Sequence, residues 1–249
     1  SRSYFSNHTI CRNGAAIYVS SKTKDVFISG NNEFKHNIAS NYGNAIFIEN
    51  RAADPIRIVD SVFTDCGTNY SANYGMVIYS LSPLFFSNST IQFTTNFIYA
   101  SGLYFGTQVN FSIINTIIKN CRSNTIGSGV SCFFSSADQK IYSFQLIDTI
   151  FENNVGPNGC ALYCSVTQIP EIRGVVIRNH WHGTYTFCVF VVCNSLVNAT
   201  ITLDNCTFDS NVFSTSYDSG GAGLWITTFA SIIETSLIFK NCQFTNNTS

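Results

Sequence analysis

Six side chains able to bind a transition metal fall close together in the second half of the chain: Cys160 and Cys164, His180 and His182, Cys188 and Cys193. Zinc would need four of them to converge at ~2.0 to 2.3 Å. No pair has the tight two-residue spacing of a zinc knuckle, so these read as structural thiols and imidazoles, and neither metal nor other cofactor is expected. Polysaccharide cleavage would instead need two carboxylates on one face, near a cation. Asp60 and Asp148 share one position of the repeat described below but lie three units apart, Asp204 falls one residue off that column, and Asp65, Asp209, Asp218 and Glu152 scatter. With no GxSxG turn either, no catalytic residue is expected and the sequence leans away from an enzyme.

The ten cysteines are an even number, as suits an oxidising compartment. Cys206 and Cys242 occupy the same slot of adjacent units, where stacked strands put Cα atoms ~4.8 Å apart, within disulfide range; that pair is the expected disulfide. Cys132, Cys164 and Cys193 are expected to stack in a second column. Eight Asn-x-Ser/Thr sequons occur. Those at Asn69, Asn110, Asn198, Asn205 and Asn246 fall at loops, corners or outward strand sites and are the expected glycosylation sites.

These groups are positioned by a repeat. Ile201, Leu203, Cys206, Phe208 and Asn211, followed by a polar loop and a glycine-led apolar segment from Gly221, set a plan that recurs throughout. Its anchors are Tyr4, Phe34, Phe63, Phe93, Ile118, Phe151, Ile177, Phe208 and Phe244, spaced by 25 to 36 residues, which is the signature of a solenoid. Pairs such as Ile56/Ile58 and Phe144/Leu146 show the period of two that marks a strand. Three short strands per unit and few hairpin turns predict an all-β, right-handed parallel β-helix of about nine coils, spanning 1–249 as a single domain. Three residues past the anchor stand Asn7, Asn37, Asn96, Asn154, Asn211 and Asn247, with Cys66, Cys121 and His180 in the remaining places. Stacked turns would make these an internal asparagine ladder, each amide donating to the next.

The paired motifs Phe34-Lys-His-Asn37 with Gly43-Asn-Ala-Ile46, Phe151-Glu-Asn-Asn154 with Gly159-Cys-Ala-Leu162, and Phe208-Asp-Ser-Asn211 with Gly220-Gly-Ala222 resemble the FxxN and GGA(I/L/V) repeats of chlamydial polymorphic outer membrane proteins and related protist surface proteins. The resemblance covers nearly the whole chain. It implies a right-handed β-helix acting at a cell surface, often in adhesion.

A net charge of -1 with only 11% charged residues leaves no basic patch for nucleic acid or an anionic membrane. The longest apolar run, 187–193, is far short of the ~20 residues that cross a bilayer, so no membrane insertion of this segment is expected. Together these features predict a secreted, glycosylated extracellular scaffold for adhesion or for a coat or filament, belonging to a longer chain or an end-to-end assembly. Its partners would be its own copies, other surface proteins or glycans. The alternative is a carbohydrate-active β-helix stacking sugars on Tyr18, Tyr79, Tyr104, Tyr163 and Trp225.

Overall fold

The run Asp60-Ser61-Val62-Phe63-Thr64-Asp65-Cys66 shows how one turn is built. Ser61, Phe63 and Cys66 are buried while Val62 and Asp65 are exposed, the alternation of a strand with one wet face. Asp60 and Asp65 bracket the strand with φ of 53° each. An L-residue adopts this left-handed conformation at a cost of ~1 to 2 kcal/mol, least for Asn and Asp, whose short polar side chains bond locally. The chain therefore enters and leaves each anchor strand through a left-handed corner.

The corners recur with little variation. Before the anchor strand they fall on Asn31, Asp60, Asn88, Asn115, Asp148, Gly174, Asn205 and Asn241; after it they fall on Asn7, His36, Asp65, Phe93, Asn120, Asn153, Asn179, Ser210 and Asn246. Among the described residues, every non-glycine residue with positive φ belongs to one of these two columns. Two glycines meet a related demand in the third side of the turn: a Cβ on Gly14 or Gly43 would lie 2.3 Å from the carbonyl oxygen of Ile17 or Ile46.

A computed structural model describes residues 2–9, 11–20, 23, 26–49, 55–67, 76–96, 102–106, 109–124, 128–132, 144–156, 161–166, 171–182, 189–193, 199–213, 224–228 and 235–248. Among them there is no helix, and the strands form a parallel β-solenoid. Nine anchor strands, from Tyr4–Ser6 to Gln243–Thr245, stack into one parallel sheet, and two further sheets of eight strands complete the turn. Nine anchors bound eight complete turns, so counting a coil for each anchor overcounts: Gln243–Thr245 closes the eighth turn.

The interior is filled by like on like. Phe5, Phe34 and Phe63 stack with ring centroids 4.7 and 4.5 Å apart, and Phe208 and Phe244 with centroids 4.7 Å apart. Strand register corrects two of the anchors. Phe34 pairs with Phe5, not Tyr4, and Phe63 pairs with Ile91, not Phe93. Tyr4 faces outward at 63% exposure; Phe93 occupies the left-handed corner two residues beyond the true anchor, 53% exposed.

A phenylalanine at such a corner is backbone strain with little burial to offset it. Phe93→Asn is expected to stabilise the fold by ~1 kcal/mol, read as a higher urea midpoint with an unchanged slope. An unchanged or lower midpoint would mean that the ring contributes more than the strain costs.

Candidate functional site

The column directly after the second corner is the most chemically organised part of the interior. With the corrected anchors it runs His8, Asn37, Cys66, Thr94, Cys121, Asn154, His180, Asn211, Asn247. Asn7 stands one place earlier, in the exposed corner. Asn96 pairs in register with Ser123 and lies two places later. Neither belongs to the ladder.

The four asparagines that do belong share one geometry. Asn154 Oδ1 accepts the backbone N–H of Cys121 at 2.9 Å, and its Nδ2 donates to the carbonyl of the anchor Ile118 at 3.0 Å. Asn37 does the same to His8 and Phe5, Asn211 to His180 and Ile177, and Asn247 to Asn211 and Phe208. Each amide thus reaches back one turn and satisfies the two backbone groups released where the chain leaves the sheet at a corner. A buried group left unpaired there would cost ~1 to 3 kcal/mol. The expected donation from one amide to the next occurs between Asn211 and Asn247, at 2.9 Å; Asn37 reaches the Cys66 sulfur instead, at 3.9 Å, and the described partners of Asn154 are a backbone N–H and a backbone carbonyl. The reason is that most ladder asparagines have a cysteine, threonine or histidine as their neighbour.

The first corner is spanned by a smaller device. The side chains of Ser61, Ser89, Thr116 and Thr149 each donate to the carbonyl two residues back, across the corner, at 2.7 to 3.1 Å. Cys206 and Cys242 occupy the same slot and donate to Asp204 and Lys240 at 3.4 Å. Both are free thiols in this structure, where the expected disulfide is not seen. Each thiol is also directed at a carbonyl one turn back, Cys206 at Ile172 and Cys242 at Leu203. Burial pushes the Cys206 thiol up to about 11, which further disfavours the reactive thiolate. Cys132 and Cys164 do stack, in register and fully buried, as free thiols. Cys193 does not extend that column; Val191 pairs with Cys164, and Cys193 with Val166.

His180 is the buried histidine of this column. It is fully buried, with Nδ1 3.0 Å from both the backbone N and the backbone O of Asn154. Accepting that N–H is what an asparagine Oδ1 does at this place. Its Nε2 has no hydrogen-bond partner. The remaining expected ligands do not join it. Cys164 belongs to the opposite core column, the side chains of His182 and Cys193 and the whole of Cys160 and Cys188 lie outside the described residues, and no cluster of three possible metal ligands occurs among those described.

The carboxylates are more ordered than their spacing suggests. Lys119, Glu152, Arg178 and Asp209 form one outward column in successive rungs. Arg178 Nε lies 3.0 Å from Glu152 Oε1. A hydrogen bond from Thr245 holds the Asp209 carboxyl below its ordinary range, the opposite of what a general acid needs. Asp60 and Asp148 are corner residues and Asp65 pairs with His36 at 3.1 Å. Asp204 stands in register between Arg173 and Lys240; Asp218 is outside the described residues.

Tyr18, Phe47, Tyr79 and Tyr104 line up on the outer face of the third sheet, with successive centroids 5.1 to 5.5 Å apart and planes within 16° of parallel. Rings stacked along the axis turn their faces to each other, so a sugar approaching from the side meets edges, not the faces that pyranose stacking requires. Tyr163 continues the line beyond Ser131; the side chain of Trp225 is not described.

Among the sequons, Asn110, Asn205 and Asn246 are exposed, as are Asn7 and Asn88, while Asn69 and Asn198 lie outside the described residues. Asn7, Asn88, Asn205 and Asn246 are corner residues. The fold itself asks for asparagine there, which accounts for half of the eight sequons without reference to sugar. No family model matches the chain, and neither the curated proteins nor the solved structures include a match.

Burial lowers the His180 pKa from 6.5 to about 4. The folded state therefore refuses a proton that the unfolded chain accepts between these values. Stability present above pH ~6.5 is lost as pH falls toward ~4, by up to ~3 kcal/mol. His180→Asn, which restores the ladder amide, is expected to remove this loss: urea unfolding at pH 7 and 4.5 should show the variant gaining on the parent at the lower pH. Equal losses in both proteins would show that the imidazole is not the acid-sensitive group.

Proposed function

We propose that this chain is a secreted structural body, an extracellular β-solenoid that serves as a stiff scaffold in cell-surface adhesion or in a coat or filament. The observation that carries the reading is the unbroken register of the anchor sheet, nine strands in parallel pairing. It makes a rod of ~38 Å, taking eight turns at ~4.8 Å each. The ladder asparagines inside the rod are bound to its own backbone, and Arg178 pairs with Glu152 along the axis outside it. Such a molecule offers length, stiffness and a repetitive side rather than a pocket for turnover.

The motif resemblance to surface proteins supports the cell-surface setting, and exposed Asn110, Asn205 and Asn246 are available for sugar if the chain follows a eukaryotic secretory route.

The test is to immobilise the purified protein on beads and present it to intact cells and to plant, algal and bacterial polysaccharides. Attachment without release of new reducing ends is expected. Cleavage of any of these polymers would overturn the scaffold reading.

A further inference from the structure

Two columns run side by side on the outer face of the anchor sheet. From the fourth rung to the ninth, one reads Thr90, Ile117, Ile150, Val176, Thr207, Gln243 and the other Gln92, Lys119, Glu152, Arg178, Asp209, Thr245. The first is aliphatic at its centre and polar at its ends. The second alternates in sign, plus, minus, plus, minus, between polar ends. All twelve side chains reach solvent in the monomer, none being buried.

This order is antisymmetric about the point midway between the rungs of Glu152 and Arg178. We propose that the anchor-sheet face pairs with the same face of a second copy, the two solenoids lying side by side and antiparallel. The twofold axis would lie in the interface along the strand direction. That operation reverses rung order while keeping position along the strand, so each column meets its own counterpart. Glu152 then faces the second copy's arginine at 178 and Lys119 faces its aspartate at 209, while Ile150 packs on its valine at 176. A twofold along the solenoid axis, the parallel face-to-face arrangement, would instead set the aliphatic column against the charged one, which is unfavourable. Self-complementarity under one twofold is what an isologous interface requires.

The contact is small. Six rungs of three residues cover roughly 300 Å² per partner from the sheet spacings, against the ~800 Å² of a standard interface. Pairing is therefore expected to be weak and transient. The proposal does not rest on the scaffold reading, since an enzyme or a lectin could pair by this face equally well.

The test is sedimentation equilibrium of the intact chain from 10 to 500 μM, with circular dichroism as the check on folding. The parent protein is expected to associate to a dimer and no further by this contact. Arg178→Glu sets like charges opposite each other at the centre and is expected to weaken dimerisation by ~10-fold or more. Adding Glu152→Arg to it restores opposite charges across the twofold and should recover most of that loss. Ile150→Lys, on the half-buried outer face, provides a second disruption should the charge variants fold poorly. A parent that stays monomeric at 500 μM would overturn the proposal. So would a dimer indifferent to both Arg178→Glu and Ile150→Lys, or a charge-swapped variant no better than the single change.

Discussion

The structure depends on how the backbone is turned. A parallel strand cannot be followed by a parallel strand of the same sheet without a long excursion, and here each excursion leaves and re-enters the anchor sheet through a residue held at φ near 50°. Each corner releases backbone groups from the sheet ladder and points them inward. At most corners the side chain just past takes them up: a hydroxyl or thiol bridging two residues back at the first corner, an amide reaching one turn back at the second, with apolar Val175 the exception after Gly174. The pairing of left-handed corner with inward polar side chain sets the unit, and the stacked phenylalanines and aliphatics fill the space it encloses.

That rule also explains the cysteines. Cys206 and Cys242 sit where Ser61, Ser89, Thr116 and Thr149 sit and make the same bond to the carbonyl two residues back. Cys66 and Cys121 do likewise past the second corner, donating to Thr64 and Lys119. Burial raises the Cys66 thiol to about 11 and Cys121 to about 12, so these are protonated donors and not nucleophiles. Their regular spacing comes from the coil. Regular spacing of asparagine-based sequons has the same origin at Asn7, Asn88, Asn205 and Asn246.

The strand pattern and the ladder slot are legible in the sequence because aliphatic pairs, a small residue, an aromatic anchor and an asparagine recur at fixed offsets. The errors come from reading the anchor by size alone. Phe93 outranks Ile91 in bulk, yet Asn88-Ser89-Thr90-Ile91 repeats Asp60-Ser61-Val62-Phe63 and Asp148-Thr149-Ile150-Phe151. A left-handed residue followed by a hydroxyl, three and two places before the anchor, is the signal that would have placed the register. The charged column from Lys119 to Asp209 was hidden for a related reason. Its members are 33, 26 and 31 residues apart, and only strand register, not loop length, brings them into line. Function is less legible still, because the side chains that hold rung to rung are chemically varied and their spacing names no ligand.

The measurement that tests this account most directly is the backbone conformation of the corner residues in solution, from Cα and Cβ chemical shifts of the isotopically labelled, deuterated protein. The account predicts left-handed shifts at the sixteen non-glycine corner positions, Phe93 among them, with extended shifts at the anchor residues between. Right-handed or extended shifts at most of those corners would contradict it, since the chain would then be turned by something other than the pairing of left-handed corner and inward polar side chain.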